Sequence, residues 1–453
     1  ASANDLVVGV IADTQKDVDK IKENLVTWLT DVKQQKSDVD IRTLNGAIEK
    51  NPKANMVSIS IPGEFAADEA RRSLKAGLNV FLFSDNVSIE DELTLKNFAL
   101  EKNLLVMGPD CGSSIIGGIG LGFSNAVRRG SIGLIAAAGT GLQEFTSLVH
   151  KAGYGISHAI GTGGRDLTDA IGGLTTFSAL DILEKDENTK VIVILSKPPG
   201  RNTLQKLSDR FKTLSKPVIG CFIGATDAIE GEGKTFKRAN IIDEAVGIAI
   251  GEIGGNVGVS KDPEQPELNT GINFSPEQKY LRGVFAGGTF CYQAQQILKN
   301  SGFRIYSNAP LNKADKLSHP DVSKENTIVD LGDEYYMVGR PHPMIDGSQR
   351  ALRIIKEAKD PQVAIILLDF ILGYNASMDP VGELVEAILK ARNLAENEGR
   401  KIFFIASMCG TDGDPQEMGL QIKLLQECGV IVFNSNATAV QYTMRLLKEV
   451  HHG

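Results

Sequence analysis

The sequence predicts an α/β protein of doubly wound parallel sheets, with part of the chain duplicated. Three features predict it. Through residue 110, apolar runs of strand length alternate with amphipathic stretches of helix length, the pattern of a parallel sheet crossed by helices. Two Gly-Thr turns, Gly139-Thr140 and Gly288-Thr289, each follow an apolar strand and open a helix, and each threonine stands thirteen positions before a glycine, Gly153 or Gly302. Both units also end a late strand alike, with Ile223-Gly224-Ala225-Thr226-Asp227 in one and Cys409-Gly410-Thr411-Asp412 in the other.

In chain order, Leu6 to Ala12 reads as a strand and Val18 to Trp28 as a helix. Asn55 to Ile61 is a strand stopped by Pro62-Gly63. Glu64 to Ala76 is a helix ending at Gly77, because glycine accepts the left-handed backbone that closes helices. Leu78 to Phe83 is the next strand. Over Ser88 to Glu101 a helix is expected, with the Ser88 hydroxyl as N-cap and Asp91 at the positive end of the dipole. Leu104 to Met107 ends this series, and Gly108 to Gly112 breaks the pattern. A second unit starts at Gly130: strand Ser131 to Ala136, helix Leu142 to Lys151, then strands Ile156 to Ile160, Val191 to Leu195 and Pro217 to Ile223. Asn256 to Pro276, rich in proline, asparagine and charge, reads as a linker. The third unit opens with strand Gly283 to Ala286 and helix Phe290 to Asn300, and carries later strands at Val363 to Leu368 and Lys401 to Met408.

Composition narrows the function classes. A net charge of −8 offers no basic face for nucleic acid. No apolar run approaches the roughly 20 residues of a membrane-spanning helix, and no basic patch followed by an apolar stretch marks a signal peptide. Five scattered cysteines without CxxC spacing read as free thiols in a reducing compartment, so a cytoplasmic location is expected.

Glycine between a strand and a helix lets the backbone approach a ligand, while the first helical N–H groups remain unpaired and favour an anion. Gly139-Thr140-Gly141 and Gly287-Gly288-Thr289 both fit, and neither has the lysine of a P-loop. For one such turn alone, tight packing would be reason enough; for two equivalent turns a phosphate or carboxylate site is the favoured reading. Gly161 to Asp166 adds Gly163, Gly164, Arg165 and Asp166 after a strand, where the guanidinium could grip an anion or form a surface pair with the aspartate. In Val338-Gly339-Arg340-Pro341-His342-Pro343 two prolines stiffen the backbone around His342. That suits a proton donor, a general acid–base or a hydrogen-bond donor to an oxyanion, with an exposed structural turn as the alternative. Asp330, Asp333 and Glu334 form an acidic cluster that reads as solvated loop charges, with a divalent-ion site as the alternative, and no metal ligands are assigned. Asn375 and Asp379 follow a strand end, where parallel sheets bind ligands.

These segments also carry a resemblance. Met107 to Gly112 resembles the turn closing the CoA-binding domain of the succinyl-CoA synthetase α subunit. Ser131 to Gly141 and Gly161 to Asp166 resemble its ligase domain, and Gly283 to Val450 the carboxyl-terminal domain of the β subunit. With Ser84 to Val87, His158 to Leu167, Ser196 to Pro199 and Val338 to Asp346, the sequence is identified as a member of the FdrA-like family of that superfamily. The resemblance implies an N-terminal Rossmann-like, CoA-binding-type domain over 1–125, followed by two related flavodoxin-like, ligase-type domains. These span 126–258 and 280–453, with 259–279 as linker.

The departures from the synthetase shape the functional expectation. Its phosphohistidine has no counterpart, since no histidine lies between His158 and His319. Its ATP-grasp domain is missing, so no nucleotide-binding domain is expected on this chain. The strand ending Gly9 to Asp13 lacks the glycines that cradle CoA, leaving at most a vestigial CoA site and no cofactor assigned. FdrA-like proteins are implicated as a subunit of oxamate carbamoyltransferase in anaerobic allantoin and oxalurate breakdown. The resemblance thus implies phosphorolysis of oxalurate to oxamate and carbamoyl phosphate. Expected partners are phosphate or carbamoyl phosphate, a small carboxylate and other subunits of a complex; self-association is left open. In this reading Gly139–Gly141 and Gly287–Thr289 converge on phosphate, Arg165 or Arg340 binds the carboxylate or phosphate, and His342 donates a hydrogen bond to the carbonyl oxygen. Two alternatives stand beside it: an ADP-forming acyl-CoA synthetase subunit with a separate ATP-grasp partner, and a non-catalytic metabolite-binding scaffold.

Overall fold

The structure is a computed structural model and describes residues 14, 16, 18–22, 41–225, 235–256 and 274–452. It divides into two units, 1–54 and 55–453. In the first, 18–22 is helical, and α1 (Leu44–Lys50) is capped by the Thr43 hydroxyl, which accepts the Gly46 N–H at 3.1 Å. The expected strand Leu6 to Ala12, most of the helix expected at Val18 to Trp28 and most of the linker lie outside the described residues.

The second unit carries three sheets. The first is parallel, β1 (Met56–Ile59), β2 (Asn79–Leu82) and β3 (Val106–Met107) in that order, joined by α2 (Gly63–Lys75) and α3 (Ile89–Glu101). In α2, Ala66, Ala70 and Leu74 recur every fourth residue and bury one face. The helix closes at Gly77 with φ +82°, and α3 starts where Ser88 Oγ accepts the Asp91 N–H at 3.0 Å. Both ends are those expected from the sequence. At Gly63 the backbone comes so close to the next loop that a β-carbon would lie 2.2 Å from the Asp85 carbonyl oxygen.

The second sheet is built from β4 (Ser113–Ile116), β5 (Ile119–Gly122), β6 (Arg129–Ala136), β7 (Ile156–Gly161), β8 (Val191–Ser196), β9 (Val218–Phe222) and β10 (Phe236–Ala239). Helices α4 (Gly139–Lys151), α5 (Leu174–Lys185), α6 (Arg201–Phe211) and α7 (Ile242–Glu252) connect or follow them. The third holds β11 (Tyr280–Phe285), α8 (Gly288–Asn300), β12 (Thr327–Asp330), α9 (Glu334–Met337), α10 (Ser348–Ala358) and β13 (Val363–Ile371). It continues through α11 (Gly382–Asn397), β14 (Phe403–Cys409), α12 (Met418–Glu427), β15 (Ile431–Phe433) and α13 (Asn436–His452).

The duplication is written in the strand order. The second sheet runs β7-β6-β8-β9-β10 and the third β12-β11-β13-β14-β15, the same arrangement element for element. All residues of β8 and β13 are buried, as parallel strands covered on both faces must be. One addition breaks the likeness. The hairpin β4–β5, turned by Gly117 and Gly118 at positive φ, joins the second sheet antiparallel to β7. Residues 113–122 precede the boundary expected at 126 yet are hydrogen-bonded into that sheet.

The layers share cores. Phe81 and Met107 of the first sheet pack in one cluster with Ile135, Ile160 and Leu180 of the second, and Phe123 enters the core of the third. Each such buried side chain contributes roughly 1.5–3 kcal/mol. All five cysteines are free and buried. Among the described residues, no helix is long and apolar enough to cross a membrane.

Candidate functional site

A cavity of about 570 Å³ opens where the carboxyl ends of strands from all three sheets meet. The first sheet lends Ser84, Asp85 and Asp110; the second lends Ser113, Gly139 and Thr140, with Lys197; the third lends Gly288, Thr289 and Asp330, with Arg340 and His342. The two Gly-Thr turns touch. A β-carbon on Gly141 would lie 2.9 Å from the Thr289 methyl, and the Thr289 N–H points at Thr140 Oγ1 from 3.4 Å.

The turns differ in what their amides meet. At α4 the N-cap is Ala138, whose side chain has nothing to offer, and among the described residues no acceptor reaches the N–H groups of Gly139, Thr140 and Gly141. The buried Ser113 hydroxyl, 1% exposed, has no hydrogen-bond partner among the described residues and would sit 3.4 Å from a β-carbon on Gly139. Unpaired helical amides and a spare hydroxyl make an anion cradle. Just before α8 the buried Asp369 carboxylate takes the Ala286 N–H at 2.8 Å and the Gly287 N–H at 2.7 Å, amides that match Ala137 and Ala138 rather than the helical ones. It is held in turn by Arg350 at 2.9 Å.

The register explains the contrast. Ile135 lies beside Ile194 and Ile160, and Val284 beside Leu368 and Val329. Superposing Gly139-Thr140 on Gly288-Thr289 therefore puts Asp369 where the second sheet has Leu195, and Asp330 where it has Gly161.

His342 stands by the second turn. Its Nδ1 accepts the Met344 N–H at 3.2 Å, and Phe123 lies against the ring, with centroids 5.7 Å apart. Burial, with Arg350 nearby, lowers its pKa to about 4. The imidazole is thus neutral at pH 7 and carries its proton on Nε2, next to Gly332. Burial raises Asp330 to about 7 and Asp110 to about 6. Asp110 opens to the cavity, yet protein surrounds it and Asp85 adds like charge.

Residues 284–446 match the CoA-ligase family model. The Escherichia coli (strain K12) protein YahF is 41% identical over 396 residues, spanning 87% of this chain and 77% of YahF. The chain belongs to the FdrA-like family. This FdrA-like chain is also 29% identical over 190 residues to the succinate–CoA ligase [ADP-forming] subunit alpha 1 of Archaeoglobus fulgidus. That match spans 41% of this chain and 62% of the α subunit, less than two thirds of its length. A solved dinucleotide-forming acetyl-coenzyme A synthetase 1 from Ca. Korarchaeum cryptofilum is 17% identical, with 88% of this chain and 83% of that one covered and a TM-score of 0.34.

Several residues expected at the site of the FdrA-like chain lie elsewhere. Arg165 does not line the cavity; its guanidinium pairs with the buried Glu92 at 2.9 Å and donates to the Val87 carbonyl at 2.7 Å. Asp166 is wholly buried, bound by Lys96 at 2.7 Å and by the Thr176 N–H and hydroxyl. Lys96 also holds Glu92 at 2.8 Å, so one buried ion cluster fastens α3 to the loop after β7. The Arg165 guanidinium thus has two of its nitrogens committed to the fold. Of the glycines in that loop, Gly164 reaches the cavity, whereas Gly163 packs on Pro109. Gly287 has its amide taken by Asp369 and does not face the cavity. The Asn375 side chain donates to the Gly122 carbonyl at 2.7 Å, and Asp379 accepts the Gly382 N–H, both binding the fold rather than a ligand.

Gly139, Thr140, Gly288, Thr289, Arg340 and His342 do gather at the cavity. Arg340 is exposed there and donates to Gln349 at 2.8 Å. Asp330 is no solvated loop charge but a cavity carboxyl, while Asp333 caps α9. Sequence reasoning passed over Ser113, Asp110 and Lys197. The last two lie inside motifs that carry the family resemblance; Ser113 had no signal, because the hairpin that aims it was not visible.

Proposed function

We propose that this chain is a subunit of a carbamoyl- or acyl-phosphate transferase, catalysing phosphorolysis of oxalurate to oxamate and carbamoyl phosphate or its reverse. The observation that carries this reading is the bare N-terminus of α4, with the unpartnered Ser113 hydroxyl, in one cavity with a neutral His342. Phosphate sits on the amides of Gly139 to Gly141 and the Ser113 hydroxyl, with Lys197 or Arg340 offsetting its charge. The His342 Nε2–H donates to the carbamoyl oxygen as the tetrahedral centre forms. A neutral donor suits this role, since it loses nothing by staying protonated at Nε2 throughout.

The resemblance places a CoA cradle on the turn after the first strand, outside the described residues. In the described part, the wall lent by the first sheet carries the carboxyls of Asp85 and Asp110 and no cation. That wall does not fit a pyrophosphate, and no step here is routed through CoA.

The test is transfer from carbamoyl phosphate to oxamate by the chain with its partner subunits. His342→Ala should cost ~100-fold or more in kcat; unchanged turnover removes His342 from the mechanism. A second reading, an ADP-forming acyl-CoA synthetase subunit with its ATP-grasp partner on another chain, is favoured by the CoA-ligase match over 284–446. Tight CoA binding by calorimetry, without carbamoyl transfer, would select it.

A further inference from the structure

Asp330 differs from Asp369, the other carboxylate beside the second turn. Asp369 has both oxygens committed to amides and to Arg350. Asp330 ends β12, where the main chain is held on both sides by Asn308: its N–H donates to Asn308 Oδ1 and its carbonyl accepts from Nδ2, each at 2.9 Å. The carboxyl is aimed by a single bond, from the Gly332 N–H to Oδ1 at 2.9 Å. Oδ2 has no hydrogen-bond donor among the described residues and faces the cavity beside Gly288, where a β-carbon would lie 2.7 Å from it. The neighbouring His342 Nε2 approaches the same Gly332. The next residue, Thr289, is the one that meets Thr140 of the anion-binding turn. Asp330 is therefore positioned, half-committed and adjacent to both the oxyanion donor and the phosphate cradle.

We infer that Asp330 is the proton-transfer residue of this site, and that the group it serves is an amide nitrogen leaving or attacking the carbamoyl carbon. The inference rests on the carbamoyl-transfer reading. An oxygen of hydrogen phosphate bonds to the carbamoyl carbon as the carbon–nitrogen bond breaks. The electron pair of that bond stays on nitrogen, which takes the Asp330 carboxyl proton and leaves as a neutral amide. The proton lost by the hydrogen phosphate restores the carboxyl. A dianion enters and a dianion, carbamoyl phosphate, departs, so no other reactant is needed. In the reverse direction the Asp330 carboxylate takes the proton from the attacking amide.

The surroundings suit both halves of the cycle. Burial raises the carboxyl toward neutrality, and Asp333 and Asp369 push the same way. Lys197 and the Gly332 N–H oppose them. His342 is neutral, and the Cys291 thiol on α8 is pushed well up by burial, so neither competes as a charge at pH 7. A group with a pKa of about 7 is both an acid and a base at that pH.

The experiment is kcat/KM for carbamoyl phosphate plus oxamate from pH 5.5 to 9, using the chain with its partner subunits. In this direction the carboxylate form is needed, so the wild-type rate should rise with pH and level off above about 7. Asp330→Asn should lose ~10²–10⁴-fold and the pH limb with it, while KM for carbamoyl phosphate stays within about threefold. Asp330→Glu should recover part of the rate, and Asp110→Asn should keep the limb. Asp330→Asn with the wild-type rate and limb, or a limb that vanishes in Asp110→Asn instead, overturns the assignment.

A second measurement separates this inference from the reaction it serves. Inorganic phosphate is titrated calorimetrically at pH 7 in two buffers of different ionisation enthalpy, which counts protons taken up on binding. Hydrogen phosphate itself exchanges protons near pH 7, so the readout is the difference between the proteins: wild type should take up more protons than Asp330→Asn. Such a difference without any carbamoyl transfer sinks the carbamoyl reading and leaves Asp330 as the proton site. Bound phosphate with equal uptake in both proteins sinks the Asp330 assignment and spares the reading; absence of phosphate binding sinks both.

Discussion

The turns that open α4 and α8 share strand order, Gly-Thr sequence and a place at the same cavity, yet they are furnished in opposite ways. Around α4 the flanking strands supply Leu195 and Gly161, and the Ala137 N–H before the helix donates to the Leu195 carbonyl. Around α8 the matching positions hold Asp369 and Asp330, one locking the turn and the other facing the cavity. A duplicated backbone thus carries one turn without a carboxylate and one flanked by two. The two turns expected to converge on phosphate do meet at one cavity, but two carboxylates stand beside the second. The change from a leucine and a glycine suffices, because strand ends aim whatever side chain they carry at the same spot.

The largest effect should come from breaking the locked turn. Asp369→Ala strands the buried Arg350 guanidinium and frees two amides, which should cost about 3–5 kcal/mol in stability by denaturant unfolding. A loss under about 1 kcal/mol would mean that the lock is dispensable and the two turns are more alike than their contacts indicate.

The free turn is next. Ser113→Ala removes a buried hydroxyl that bonds nothing among the described residues, so stability should hold or rise slightly. Phosphate affinity should fall by about 1.5–3 kcal/mol, the worth of a hydrogen bond to a charged group. Undiminished phosphate binding by calorimetry would take the anion away from α4.

The smallest effect concerns the cost of the open carboxyl. The folded pKa of Asp330, about 7, lies above its ordinary value of 3.8, so burial disfavours the folded state progressively as pH rises between those values. Asp330→Asn should therefore stabilise fully above pH 7, less as pH falls, and not at all below 3.8. Because cavity water solvates the carboxylate, the gain should be on the order of 1–2 kcal/mol rather than the full 1.36 kcal/mol per unit. Thermal midpoints at pH 8 and pH 4 check it. His342 has the opposite sign: its lowered pKa contributes stability above about 6.5 that is lost on acidification toward 4.

The sequence made the local elements and the duplication legible, since strand and helix periods and terminal signals such as Ser88 and Gly77 act over a few residues. His342 was legible because prolines flank it. The hairpin β4–β5 was not: each strand has four residues, and Gly117 and Gly118 read as part of a loop. Arg165 and Asp166 misled because their partners, Glu92 and Lys96, lie some 70 positions away in sequence. Nothing local reveals whether a charge will be neutralised from that far. Asp330 misled for a related reason. Its place among acids suggested a solvated loop, whereas the end of β12 directs it inward.

The ion cluster of Lys96, Glu92, Asp166 and Arg165 also bears on how the sheets stay together. Swinging the first sheet away from the second would pull the Lys96 ammonium from the Asp166 carboxylate, both almost wholly sealed from water, while Glu92 travels with Lys96 on α3. Opening such a hinge would leave that ion pair unmade in a buried place, a cost that holds the first sheet against the second beside the cavity.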